Sequence, residues 1–275
     1  MEKIKLNNGL KIPAIGIGTF PMNRFTIFRV INQALYLGYR KIDTASAYSN
    51  ESWIGRALKF NLIKRKNVFI TTKLSNSDQR IGNIDEALNK SLKKLGVKYV
   101  DLYLMHWPNP DTFIKSWIEM EKLYKKGLVK GIGVCNFHEH HLEKLLKVAT
   151  VVPAINQIER HPLLSQKELI DYCQNEGIRV EAYSPFARMD EKLIRNKILM
   201  KISEKYNKTI PQIILRWNYQ GGIPTVPKTS NKQRLKQNID IFDFKLTKQE
   251  MHDIDNLNKD YRVRYNPDTC DFDKL

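Results

Sequence analysis

The feature that most constrains this chain is a unit that recurs four times: an amphipathic helix, a glycine, then a run of strand formers. Asn83 stands where a helix N-cap belongs, with Glu86 at the capping-box position. Ile84, Ala87, Leu88, Ser91, Leu92 and Leu95 follow at helical spacing. Gly96 sits where a left-handed C-terminal cap is needed, and the strand-like run YVDLYLMHW comes next. The same grammar places Ile27, Val30, Ile31, Ala34 and Leu35 before Gly38 and YRKIDTA. It places a helix over 113–126 before Gly127 and LVKGIGV. Ser165 with Glu168 reads as a second capping box, opening a helix that ends at Gly177 before IRVEAYS.

Adding the runs that lack this glycine gives strands near 15–18, 40–44, 68–73, 100–105, 129–134, 154–158, 179–184 and 225–228. They recur every 25–32 residues or so, except for a last gap long enough for two helices. Strands alternating with helices imply parallel pairing and right-handed crossovers. Eight such units predict a single α/β domain over 1–275, a (β/α)8 TIM barrel. A doubly wound sheet would want a glycine-rich turn after its first strand, and Gly16-Ile17-Gly18-Thr19 is only a partial match. An N-terminal β-hairpin (Ile4–Leu6 with Leu10–Ile12, around Asn8-Gly9) precedes the barrel, and an irregular C-terminal tail follows Leu257.

Composition bounds the function. Hydrophobic residues make up 42% and charged residues 27%, which suits a packed globular domain. No apolar run approaches membrane-spanning length and no signal-peptide core is evident, so no membrane partner is expected. Cys135, Cys173 and Cys270 are odd in number and lack metal-ligand spacing; they point to a reducing cytoplasm and to no bound metal. The 46 Lys+Arg against 29 Asp+Glu give a net charge of +17. The basic residues are scattered, the longest cluster being Lys64-Arg65-Lys66, so no nucleic-acid partner is expected. A small anionic ligand would profit from the same field. No apolar stripe is left over from the helix assignments, and a monomer is expected.

A barrel's chemistry sits at the C-terminal ends of its strands. Read in order, those ends carry Asp43, Lys73, His106, Asn136, Gln157, Tyr183 and Lys228, with Tyr48 in the loop after Asp43. Each is weak alone; together they converge on one mouth.

These residues carry a resemblance to the aldo-keto reductase superfamily over essentially the whole chain. The segments are GIGTF (16–20), KIDTASAY (41–48), TTKL (71–74), LMHWP (104–108), GVCNF (133–137), NQIERHP (156–162), AYSP (182–185) and VPKTSNKQRLKQNIDIFDF (226–244). The chain is most similar to short-looped bacterial reductases of the 2,5-diketogluconate type. The resemblance implies NADPH-dependent reduction of aldehydes and ketones, with a catalytic tetrad of Asp43, Tyr48, Lys73 and His106. Hydride delivery to a carbonyl generates an alkoxide that needs a proton. A tyrosine, here Tyr48, can supply it if a nearby ammonium lowers its pKa from about 10. Asp43 would hold Lys73 charged and aimed, and His106 would orient the carbonyl oxygen. The resemblance also implies a nicotinamide carboxamide held by Asn136 and Gln157, with Cys135 where serine is commoner, and Tyr183 stacked on the ring. Thr19 and Asp43 are further implied cofactor contacts, Ser184 and Phe186 match pyrophosphate-contacting positions, and Gln237 and Asn238 match positions near the adenine. Lys228, Thr229, Ser230 and Arg234 match a clamp for a 2′-phosphate. Phe20, Tyr48, His106 and Trp107 match the substrate pocket, with Trp53 a weaker candidate. The family also includes non-catalytic members; the complete tetrad favours an enzyme.

Overall fold

The computed structural model describes residues 2–274. A hairpin of β1 (Lys3–Lys5) and β2 (Lys11–Pro13) opens the chain, with Ile4 opposite Ile12. Seven parallel strands follow in sequence order: β3 (Ile17–Gly18), β4 (Lys41–Asp43), β5 (Phe69–Leu74), β6 (Leu102–Met105), β7 (Ile132–Cys135), β8 (Ile155–Glu159) and β9 (Arg179–Tyr183). The predicted eighth strand at 225–228 is not a strand. It reduces to single bridges from Thr225 to Ile15 and to Ala182. Pro224 and Pro227 have no N–H to donate, so a regular ladder cannot run through them. The segment still closes the ring. Thr225 donates to Ala14 and Val226 to Ala182, while Pro224, Thr225 and Pro227 carbonyls accept from Ala182, Gly16 and Gly18.

The intervening helices are α1 (Arg24–Tyr36), α2 (Glu51–Phe60), the short α3 (Asn76–Ile81), α4 (Ile84–Leu95), α5 (Phe113–Lys125), α6 (Glu139–Leu146) and α7 (Lys167–Asn175). After β9 come a single turn, α8 (Glu191–Ile194), then α9 (Lys197–Tyr206) and α10 (Ile210–Gln220) in the long last gap. Helices α11 (Lys232–Ile239) and α12 (Lys248–Asp255) complete the shell. Asn83 caps α4 through Glu86 N at 3.3 Å, and Gly96 ends it with φ +65°. Gly38, Gly127 and Gly177 also take positive φ, as the repeated unit requires.

Ser165 does not cap α7. Gln166 takes the cap position in the left-handed region without a side-chain bond, and the helix begins at Lys167. Ser165 spends its backbone instead, donating N–H to Asn258 and accepting Arg160 Nε through its carbonyl. Tertiary partners won over the local motif.

The main core lies between the barrel and helices α1, α2 and α4 to α7, with Leu215 of α10 and Leu235 of α11. A second cluster under α9, α10 and α12 is built from Leu199, Ile213, Trp217 and Ile254. The hairpin closes the barrel floor, packing Leu6 and Ile12 against Phe69, Leu102, Leu104 and Ile155. Asn7 and Asn8 fix it there by donating to the Pro153 and Lys130 carbonyls. The opposite mouth carries the C-terminal ends of the strands.

One surface departs from expectation. Phe25, Phe60 and Leu62 are 70%, 73% and 100% exposed on the α1–α2 side. Phe28 lies 5.7 Å from Phe60 and Phe25 lies 6.5 Å from Trp53, ring to ring. An apolar face is therefore left over, and the premise behind the monomer expectation does not hold.

Candidate active site

The ends of β4 to β9 deliver their polar side chains to one connected network. Lys73 is 1% exposed, and its ammonium donates to Asp43 Oδ1 at 2.5 Å and to the Thr44 carbonyl at 3.0 Å. Burial disfavours its charge, yet Asp43 outweighs this and the Lys73 pKa rises above the usual lysine range. Thr19 donates to the Asp43 carbonyl at 2.9 Å, tying β3 to the same point. Tyr48, on a 3-10 turn over Ser46–Tyr48, sets its ring centroid 5.3 Å from Lys73 Nζ and its hydroxyl 3.4 Å from His106 Nε2.

The tyrosine is not made more acidic than an ordinary one. Burial raises its pKa, and the lowering by Lys73, which is present, does not overcome it. In this state the hydroxyl keeps its proton. His106, at the end of β6, is neutral: burial and the charges of Lys73 and Arg264 lower its pKa to about 3. An uncharged imidazole and a protonated phenol therefore face the same space.

Asn136 takes φ +63° directly after β7. It donates to the His106 carbonyl at 3.0 Å and accepts the Tyr183 hydroxyl at 2.6 Å. Gln157 donates to Asp43 Oδ2 at 2.8 Å, joining β8 to the tetrad. Cys135 is buried with Sγ 3.8 Å from Gln157 Oε1, and burial pushes its thiol well above the usual range. It is a packed thiol rather than a nucleophile. Ser184 and Phe186 follow Tyr183 on the rim; Ser184 takes φ +48° and both are part-buried.

The basic end is built differently. Lys228 and Arg234 are exposed, and neither joins an ion pair among the described residues. Asn231 caps α11 by accepting Arg234 N at 3.0 Å, and Thr229 Oγ1 accepts Asn231 N at 3.2 Å. Ser230 offers its carbonyl to Arg29 at 3.4 Å. Asn238 is buried and Gln237 part-buried on the same helix. Two free cations beside a helix N-terminus fit a phosphate.

Over the mouth, the Phe20 ring lies 4.9 Å from Tyr48 and is 46% exposed, while Trp107 is buried. Trp53, on α2, has its ring beneath the Arg56 guanidinium. The irregular tail after Leu257 forms part of the mouth, and its contributing residues, Arg264 and Tyr265, were not among the expected pocket residues. Arg264 sits 5.7 Å from the Phe20 ring, and Tyr265 lies 6.4 Å from Trp107. Buried Glu159 holds the tail there, accepting Val263 N at 2.7 Å and Arg264 N at 3.0 Å. His140, His141 and Asp268 place ligand-type atoms within 4.8 Å of one another. However, His141 Nδ1 already accepts His138 N, and Asp268 is bonded to His138 at 2.8 Å. That group pins the tail to α6.

Two interior charges were missed: Lys41 and Glu181, fully buried and in contact with each other. Strand alternation could have found them, since Lys41 lies two residues before Asp43 and Glu181 two before Tyr183.

Residues 14–259 match the aldo/keto reductase family, so the chain belongs to that family of oxidoreductases. It is 46% identical over 268 residues to a glyoxal reductase of Bacillus subtilis (strain 168), covering 97% of this chain and 96% of that one. It is similar in structure to an aldo-keto reductase from a Medee basin deep-sea metagenome library. The TM-score is 0.95 at 41% identity, covering 98% and 99% of the two chains. A Bombyx mori aldo-keto reductase solved in complex with NADP matches with a TM-score of 0.89 at 36% identity, covering 97% and 95%.

Proposed function

We propose that this chain reduces small aldehydes and ketones to alcohols with NADPH, and that Tyr48 is the proton donor of an Asp43–Tyr48–Lys73–His106 tetrad. The observation that carries the reading is the buried Lys73–Asp43 pair set directly beneath a protonated Tyr48 and a neutral His106. The relatives' names and the NADP-bound neighbour support it.

Bound NADPH supplies a hydride to the carbonyl carbon. The remaining work falls to this chain. His106, in the tautomer with hydrogen on Nε2, donates to the carbonyl oxygen and sets its distance from Tyr48. As negative charge develops on that oxygen, Tyr48 Oη gives up its proton to it. The phenolate left behind is stabilised by Lys73, whose charge Asp43 maintains. Lys73 thus acts late, on the product of proton transfer, which is consistent with a hydroxyl that stays protonated at rest. Asn136 and Gln157 would hold the nicotinamide carboxamide with the Cys135 thiol behind, and Tyr183 would face the ring. Ser184 and Phe186 would meet the pyrophosphate. Lys228, Thr229, Ser230 and Arg234 would grip the 2′-phosphate, with Gln237 and Asn238 near the adenine. Phe20 and Trp107 would wall the substrate.

The short loops after Trp107 and Tyr183 leave this mouth open and permissive. One chain supplies every residue named, so a single domain acting as a monomer in the cytoplasm suffices for the reaction. The test is loss of reduced-cofactor absorbance on mixing the protein, NADPH and an aromatic aldehyde. Turnover is expected; a protein that binds NADPH yet reduces no member of a panel of small aldehydes would refute the reading.

A further inference from the structure

We propose that the buried Lys41–Glu181 pair is a positioning device, which with Asp43 locks the Gln157 amide so that its oxygen, never its NH2, is offered to the nicotinamide carboxamide. The proposal rests on the cofactor reading above. Gln157 Nε2 lies 2.8 Å from Asp43 Oδ2 and 2.6 Å from Glu181 Oε2. An amide nitrogen carries two hydrogens, so both are committed to carboxylates. Turning the amide over would set its oxygen against two carboxylates and forfeit two charge-assisted bonds. The other end, Oε1, is left facing the weak Cys135 thiol with capacity for a further donor.

Lys41 makes this arrangement self-consistent. Its ammonium contacts the second oxygen of Glu181, and both side chains are fully buried. Two carboxylates in the barrel interior are thereby matched by two ammoniums, Lys41 and Lys73. The backbone is shaped for the lysine: a Cβ on Gly16 would come within 2.9 Å of Lys41 Cγ and Cδ. Glu181 is in register with Gln157 on the neighbouring strand, which aims both side chains inward at one level. Buried ion pairs contribute little net stability and can be exchanged for apolar residues of similar size. Stability alone therefore gives no reason for this pair, whereas orientation of Gln157 does.

The test uses Lys41→Met/Glu181→Leu, which removes both charges, and Lys41→Met/Glu181→Gln, which also removes both but keeps an acceptor oxygen for Gln157 with no ammonium to compete for it. Each is titrated with NADP+ and with its 3-acetylpyridine analogue, in which a methyl ketone replaces the carboxamide and leaves no N–H to donate. The wild type is expected to bind NADP+ roughly three- to tenfold more tightly than the analogue, the size of one hydrogen bond. Lys41→Met/Glu181→Leu, in which Asp43 alone holds the amide, is expected to lose much of that discrimination while still preferring NADP+ to NAD+, and Lys41→Met/Glu181→Gln to retain most of it. A second readout needs no cofactor: the Gln157 side-chain amide, assigned by its disappearance in Gln157→Glu, is expected to be slow to exchange with solvent in the wild type. A folded Lys41→Met/Glu181→Leu variant that discriminates as well as wild type overturns the proposal. So does a rapidly exchanging Gln157 amide, which decides the matter should that variant fail to fold. A wild type that binds neither nucleotide would sink the cofactor reading instead, leaving the amide measurement to judge the pair.

Discussion

The barrel interior and the rim beside α11 handle charge in opposite ways. Inside, Lys41, Glu181, Asp43 and Lys73 are buried and joined through Gln157 into one chain of contacts. At the rim, Lys228 and Arg234 are exposed, with no ion-pair partner among the described residues. The difference separates two tasks. A charge that must hold a geometry is bound to fixed partners in a low dielectric, where its influence on Tyr48 is strong. A charge that must capture an anion from solution stays free, and salt screens it.

The largest effect should come from the interior. Tyr48→Phe is expected to lower kcat by about 10²–10⁴-fold, the usual worth of general-acid catalysis. NADPH affinity should be nearly unchanged. A variant keeping more than about a tenth of kcat, beneath the lower end of that range, would move the proton donor elsewhere, first to His106.

Next comes the rim. Lys228→Ala/Arg234→Ala should weaken NADPH binding roughly ten- to a hundredfold through lost charge-assisted contacts, and leave NADH binding nearly as it was. Titration of both cofactors at two salt concentrations checks this. Equal losses for NADPH and NADH would remove the 2′-phosphate from the assignment. The rim should also be the salt-sensitive member of the pair, since its cations are exposed.

A third contrast is in pH. Folded His106 and His141 stay neutral to about 3 and about 4, burial being the main cause, whereas an unfolded histidine protonates near 6.5. Below about 6.5 the unfolded chain therefore binds more protons than the folded one. Their contribution to stability is complete above that pH and declines as pH falls toward about 3. Urea midpoints at neutral pH and near pH 4.5 or so should differ, and the difference should shrink in His106→Gln. An unchanged slope would mean that His106 titrates normally.

The smallest effect is expected at Cys135. The Sγ–Oε1 separation of 3.8 Å marks a weak contact, so Cys135→Ser should alter NADP+ affinity by no more than about threefold. A tenfold change would make this position a principal cofactor contact.

Most of the interior network was legible before the structure because strand ends announce themselves. His106 follows the apolar run Leu102–Met105, Asp43, Lys73 and Tyr183 each stand at the end of a strand-like segment, and Tyr48 falls in the loop just past Asp43. Lys41 and Glu181 were passed over because charged residues inside apolar strands read as exceptions, and their mutual neutralisation across 140 positions has no local signature. The closing segment was read as a strand from Val226 and its neighbours, although the two prolines around it forbid a ladder. The tail was illegible for a different reason. Its place over the mouth depends on Glu159, 104 residues earlier, and no periodicity connects them. Likewise, the Lys73 effect on Tyr48 was foreseen in direction but not in outcome, because burial depends on the completed fold.

The Glu159 clasp has a consequence for how this mouth can change. It grips the tail by the main-chain amides of Val263 and Arg264, and any non-proline residue at those positions carries the same amides. The seat is thus indifferent to what the segment carries. Arg264 and Tyr265, the side chains it presents beside Phe20 and Trp107, can be exchanged without unseating the backbone beneath them. A library confined to those two positions would vary what the pocket accepts while leaving the tail docked, and exchange of Arg264 would also remove one of the two charges that hold the His106 pKa down.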